Sequence, residues 1–105
     1  MNVAEHDFLT TKAWRDKREK ILRRDGYVCQ WSKRYGRRIP GNIIHHIFPR
    51  SEFPQYALTD WNLITVSMKG HKALEDENGL TEEGRQWLVR TARKHNVQIP
   101  ENYLV

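Results

Sequence analysis

The sequence predicts one small α+β domain: a helix near each end and, between them, a strand, a loop, a second strand and a third helix. Three observations predict it. Apolar residues recur at helical spacing in "TTKAWRDKREKILRRDG" and "TEEGRQWLVRTARKHN". Two short apolar runs, "IIHHIFP" and "NLITVS", are separated by a loop carrying Pro49 and Pro54. The chain has 105 residues, 38% hydrophobic and 30% charged, which suits a single modest core in a polar globular domain. Four tryptophans supply much of that core area.

The first helix spans about 11–25. Thr10 or Thr11 can cap its start, and Asp25-Gly26 can stop it. Trp14, Ile21 and Leu22 share one face with Arg18 between them, a stripe that suits a core. Arg15, Lys17, Lys20, Arg23 and Arg24 lie on the other face. That face can follow a phosphate backbone, or it can simply be solvated. "YVCQWSKRYGRRIPGN" reads as a hairpin or ribbon turning near Gly36. "MKGHKALEDEN" reads as a helix ended by Gly79. The C-terminal helix spans about 81–96, with Thr81 as N-cap, Glu82 and Glu83 in the first turn and Trp87, Leu88 and Ala92 as its apolar stripe. The tail "VQIPENYLV" is expected to be extended and to pack by its aliphatic residues. No repeat, linker or second domain is visible, so residues 1–105 read as one domain.

Charge is unevenly distributed. The net charge is +5 and the pI 9.6. Residues 1–50 hold 12 Lys and Arg against 5 Asp and Glu, a net of +7; residues 51–105 hold 6 against 8, a net of −2. Such a basic half suits a nucleic-acid partner. No apolar run approaches the length of a membrane span, so no membrane partner is expected. The N-terminal stretch lacks the order of a signal peptide, and a lone cysteine, Cys29, excludes an internal disulfide; both fit the cytoplasm.

The paired histidines carry the chemistry. Neighbours on a strand point to opposite faces, so His45 and His46 cannot serve one side together. One is buried and the other exposed, or the two flank a site with different tasks. The run "IIHHIFPRSEFPQYALTDWNLITVSMKGHKAL" resembles the HNH nuclease motif of the ββα-metal (His-Me finger) class: a His preceded by Asp or His, then Asn-Leu, then a His at the start of a helix. Here these are His45-His46, Asn62-Leu63 and His71. The resemblance covers residues 12–77, the ββα motif itself about 42–78, and "WRDKREKILRRDGYVCQ" resembles the segment leading into many phage HNH domains.

The resemblance implies a ββα-metal core with a basic N-terminal helix and a C-terminal helix. It implies an enzyme, a metal-dependent DNA endonuclease. His45 and His71 would bind one divalent metal, His46 would be the general base, and Asn62 would brace the loop that orients it. Phosphodiester hydrolysis needs a base for the water, neutralisation of the phosphate and stabilisation of the leaving oxygen; histidine suits the first and a metal the others. Glu75 lies one turn after His71, where colicin-type members hold a His. It would complete a set of two nitrogens and one oxygen suited to Mg²⁺, Mn²⁺, Ni²⁺ or Zn²⁺, or it pairs with Lys72 instead.

Many members carry two CxxC pairs for a structural zinc. The matching positions here are Cys29, Ser32, Ser67 and Gly70, so three of four ligands are missing and no structural zinc is expected. Packing of Trp31, Tyr27 and Tyr35 would hold the ribbon instead, with Cys29 as a core thiol. Arg50 can reach a phosphate or remain a solvated loop arginine. Arg37 and Arg38, with Arg23 and Arg24, would contact the DNA backbone. Trp61 is expected to pack rather than stack on a base. His6 and His95 are isolated and receive no role.

The length and lead-in resemble small stand-alone bacteriophage HNH proteins encoded near packaging genes. That implies DNA processing with a terminase, in the cytoplasm of a bacterial host. Two other readings compete: a catalytically weak or inactive DNA-binding module acting with a partner, and a small RNA-binding protein, which leaves the HH, NL, H spacing unexplained.

Overall fold

The computed structural model describes residues 7–104. The elements in order are α1 (Lys12–Arg24), α2 (Gln30–Arg34), β1 (Ile43–His46), β2 (Leu63–Val66), α3 (Met68–Leu74), β3 (Glu75–Asp76), β4 (Gly79–Leu80) and α4 (Glu82–His95), with 3₁₀ turns at Pro54–Tyr56, Asp60–Asn62 and Glu101–Tyr103. Helices and two small antiparallel sheets make an α+β fold. Among the described residues no helix is long and apolar enough to cross a membrane.

The longer helices form where capping and periodicity place them. Thr11 accepts a bond from the Trp14 backbone N–H, and Asp25 closes α1. Thr81 does the same for Gly84, while Asn96 ends α4 in the left-handed conformation at φ 55°. Thr81 also donates to the Ala73 carbonyl, 2.6 Å away, tying the start of α4 to α3.

The sheet β1–β2 has two working faces. Its register pairs Ile43 with Val66, Ile44 with Thr65, His45 with Ile64 and His46 with Leu63. Ile43, Ile64 and Val66 belong to the larger core, with Phe48, Leu74 and Leu88. Ile44 and Leu63 belong to a second cluster under α1, with Trp14, Ile21 and Phe8. The sheet is thus covered by α1 on one face and by α3 on the other. Every residue of β2 is buried.

Four local expectations are corrected. The segment after α1 is not a hairpin: "QWSKR" forms α2, and only the bridge of Val28 to Pro40 remains of the ribbon. Its two arms still close, through Cys29 N–H to Ile39 O at 2.7 Å and Gly41 N–H to Tyr27 O at 2.8 Å. A helical turn lets Trp31 meet the core while Lys33 and Arg34 stay in solvent. Tyr27 and Tyr35, expected to pack this segment, are exposed at 45% and 57%, so Trp31 does that work without them.

The helix carrying His71 ends at Leu74 instead of running to Gly79. The acidic run Glu75-Asp76-Glu77 would face the negative end of the helix dipole. The chain instead turns into β3–β4, where Asp76 accepts from Asn78 N–H at 2.8 Å and Gly79 adopts φ 103°. In the tail, Val97 and Ile99 pack as expected, but the buried residue is Tyr103, held on a 3₁₀ turn and hydrogen-bonded to Glu52.

Candidate metal centre

His45 lies on the β1 face toward α3 and is 1% exposed. Neither of its ring nitrogens has a hydrogen-bond partner among the described residues. An unpartnered buried polar group costs about 1–3 kcal/mol, so two on one ring call for an explanation. The explanation lies across the face. The His71 ring packs edge-on at 5.6 Å between centroids, and the Glu75 carboxylate stands 3.2 Å from His71 Nε2. One ligand atom from each of His45, His71 and Glu75 lies within 4.8 Å of the others.

Glu75 reaches this point from the first residue of β3, not from the helix. Its backbone has already turned extended, at φ −150° and ψ 134°. No ion pair joins it to Lys72 among the described residues.

Protonation suits a cation. Burial pushes His45 down to about 4, leaving it neutral at pH 7. The hydrogen bond from His71 holds Glu75 below the usual carboxylate range, against the opposing effect of burial. Neutral imidazole and ionised carboxylate are the forms that ligate metals. The donor set of two nitrogens and one oxygen fits a divalent ion, and such an ion would satisfy one of the two orphaned His45 nitrogens.

His46 takes the opposite face. Its ring stacks on Trp14 at 5.2 Å and 19°, with Phe8 at 6.2 Å. Nε2 is 3.1 Å from the Ala57 carbonyl. A carbonyl only accepts, so Nε2 carries the proton and Nδ1 is the basic nitrogen. Burial lowers the pKa of His46, partly offset by the Ala57 carbonyl.

Asn62 is fully buried and bonded only to backbone. Its Oδ1 accepts from Phe48 N–H at 2.7 Å, and its Nδ2 donates to Phe48 O at 3.2 Å and Tyr56 O at 3.0 Å. It therefore clamps the segment just after the His strand to the residue before Ala57, whose carbonyl orients His46.

The arginines divide. Arg50 sits on the His46 side, its guanidinium 4.3 Å from the centre of the Phe8 ring. Arg23, Arg24, Arg37 and Arg38 come together around one groove away from the histidines. Arg24 is committed to the fold: it pairs with Asp25 and donates to the backbone oxygens of Asp60 and Leu63. On the exposed face of α1, Lys17 and Lys20 both pair with Asp60.

The four CxxC-like positions do converge. Ser67 Oγ is 3.4 Å from Cys29 Sγ, and a Cβ on Gly70 would lie 2.7 Å from that sulfur. Burial works to raise the Cys29 thiol, but bonds from Ser32 and Ser67 outweigh it and the net direction is down. One thiol, two hydroxyls and a glycine are not a structural zinc set. Trp61 packs against the core and stacks on the exposed His95 at 4.7 Å. His6 lies outside the described residues.

The residues around His46 went unseen in sequence. Trp14 reads as a core residue by periodicity, and nothing distinguishes its second face. Ala57 contributes only a backbone carbonyl, which no side-chain pattern announces. Comparison with protein-family models, with curated proteins and with solved structures gives no match.

Proposed function

We propose that this chain is a metal-dependent DNA endonuclease of the HNH type, with β1, β2 and α3 as a ββα-metal core. The observation that carries the reading is the division of labour across β1. His45, whose ring nitrogens have no partner among the described residues, offers one of them to the group it forms with His71 and Glu75, while His46 is held on the other face by the Ala57 carbonyl at Nε2, leaving Nδ1 as its basic nitrogen.

A divalent ion held by His45, His71 and Glu75 would neutralise a phosphate oxygen and the leaving 3′ oxygen as a Lewis acid. The chain's own residues do the rest. His46 Nδ1 accepts the proton of the attacking water, and its lowered pKa keeps it unprotonated at neutral pH. The Ala57 carbonyl and the Trp14 ring fix its plane. Asn62 holds the loop that supplies that carbonyl. Arg50, on the same side, is the cation placed to meet a phosphate. The biological setting we propose is bacteriophage DNA processing beside a terminase, by analogy with the HNH proteins that the motif resembles.

The test is a supercoiled plasmid assay with EDTA, Mg²⁺, Mn²⁺, Ni²⁺ or Zn²⁺, run with wild type and His46→Ala. Metal-dependent nicking is expected in wild type and lost in His46→Ala, with metal binding retained. A folded, DNA-binding wild type that fails to nick with any of these metals would instead favour an inactive DNA-binding module.

A further inference from the structure

We propose that the groove between the C-terminal end of α1 and the loop after α2 is a track for the sugar-phosphate backbone of duplex DNA, sharing no residue with the metal centre. The identity of the polymer rests on the endonuclease reading; the groove itself rests on its charges. Its volume is about 460 Å³, and Arg23, Arg24, Lys33, Arg37 and Arg38 line it against one acid, Asp25.

Pairing sorts these cations. Arg24 and Asp25 neutralise each other in the floor. Arg23 pairs with Glu19 at 2.8 Å. Lys33, Arg37 and Arg38 are exposed and have no acidic partner among the described residues. Three unpaired cations on one rim repel one another unless anions lie between them.

The rim is also fixed. Gly36 N–H bonds Lys33 O at 2.9 Å, Arg37 N–H bonds Ser32 O at 3.1 Å, and Cys29 to Ile39 closes the loop at its base. The charges are therefore presented by an anchored backbone. These three positive charges exceed the charge of a single phosphate, whereas a repeating polyanion can match them. No aromatic side chain lines the groove itself, and the exposed Tyr27 and Tyr35 beside it have their hydroxyls bonded to Glu19 and Glu83, which favours a duplex over a stacked single strand.

The groove is tied to the reaction site. Arg24 donates to Leu63 O at 2.6 Å, and Asp25 accepts from Thr65 N–H at 2.9 Å. Leu63 is the register partner of His46. A duplex seated on the rim is thus held by the strand that pairs with the proposed base.

The experiment measures binding of a labelled random-sequence duplex in EDTA across a range of NaCl concentrations. Each phosphate contact contributes about −0.9 to the slope of log K against log salt. The triple variant Lys33→Ala, Arg37→Ala, Arg38→Ala is expected to flatten that slope by about 3. Arg37→Lys with Arg38→Lys should keep most of it, because the charges remain. All three positions are exposed, and circular dichroism with the Mn²⁺-induced thermal shift checks that the variants fold.

An unchanged slope in the triple variant overturns the groove, and does so even if wild type nicks plasmid. Wild type that binds no duplex, yet keeps its Mn²⁺ shift, overturns the groove and DNA as the ligand together. Preference for structured RNA or a single strand in competition overturns the duplex assignment. Groove-dependent binding by a protein that never nicks supports the groove and removes only the endonuclease reading.

Discussion

His45 is destabilising where it stands unless something binds it. Its nitrogens are buried without partners among the described residues, and burial lowers its pKa to about 4. In EDTA, His45→Leu should therefore be at least as stable as wild type, with about 1–2 kcal/mol gained by removing the orphaned groups. With Mn²⁺ or Zn²⁺ at a hundredfold excess over Kd, wild type should gain about 2.7 kcal/mol and the variant almost none. Urea melts with and without metal read both quantities. Equal gains in the two proteins would place the metal elsewhere. A His45→Leu protein less stable in EDTA would show that the imidazole is satisfied. Asn62 is the opposite case, a buried polar group with every contact made. Asn62→Ala leaves Phe48 N–H and the Tyr56 carbonyl without that partner, and should cost about 3 kcal/mol whether metal is present or not. A loss that disappears on adding metal would tie Asn62 to the centre instead of to the loop. His45, His46, Asn62 and His71 were all legible as a set, because residue type and spacing carry them. Trp14 and Ala57 were not, since one acts through a ring already assigned to the core and the other through its backbone.

At the scale of elements, legibility followed length and capping. Helices α1 and α4 have 13 and 14 residues and side-chain caps at Thr11 and Thr81, and both stand within a residue or two of their sequence limits. Short elements were decided by packing. The five residues of α2 carry no periodicity of their own, and the basic run that follows reads equally well as a turn. The early end of α3 has two causes: no apolar residue follows Leu74 until Leu80, and three acids arrive at the negative end of the dipole. That early end brings α3 and α4 into close backbone contact. A Cβ on Gly84 would lie 2.0 Å from the Leu74 carbonyl oxygen, a backbone atom that cannot swing aside. Gly84→Ala would thus gain in helix propensity and lose far more in overpacking, a net destabilisation of about 2 kcal/mol or more. Because Glu75 follows Leu74 directly, the same change should weaken metal binding. A urea midpoint and Mn²⁺ affinity unchanged in Gly84→Ala would show that α3 and α4 are free to separate.

Across the whole molecule, the basic half is joined to the acidic one by the β1–β2 ladder and the cores on its two faces, and Asp60 adds an ion-pair clip between them. It stands just before Asn62, at the mouth of β2, and takes Lys17 at 2.5 Å and Lys20 at 2.7 Å from α1. These lysines fold back onto the protein, whereas Lys33, Arg37 and Arg38 on the groove rim have no acidic partner among the described residues. The two lysines hold Asp60 down at about 2, against an ordinary value of 3.8. A depressed carboxyl value favours the folded state wherever the group is ionised in both states. The contribution is therefore full above about pH 4 and disappears as the pH falls through 4 toward 2. The Asp60 side chain is 43% exposed, so solvent screening limits the contribution to about 1 kcal/mol or less. In low salt, Asp60→Asn should lower stability slightly at pH 6 and remove part of the acid-induced loss between pH 4 and pH 2. High salt should shrink the difference between the two proteins, because an exposed pair is screened while the buried contacts under α1 are not. Parallel acid titrations of the unfolding free energy, at low and at high salt, decide it. If the two curves keep a constant separation from pH 6 to pH 2, then α1 is held by its apolar face and by the bonds of Arg24 and Asp25 to β2, and the Asp60 clip adds nothing to the docking of the basic helix on the sheet.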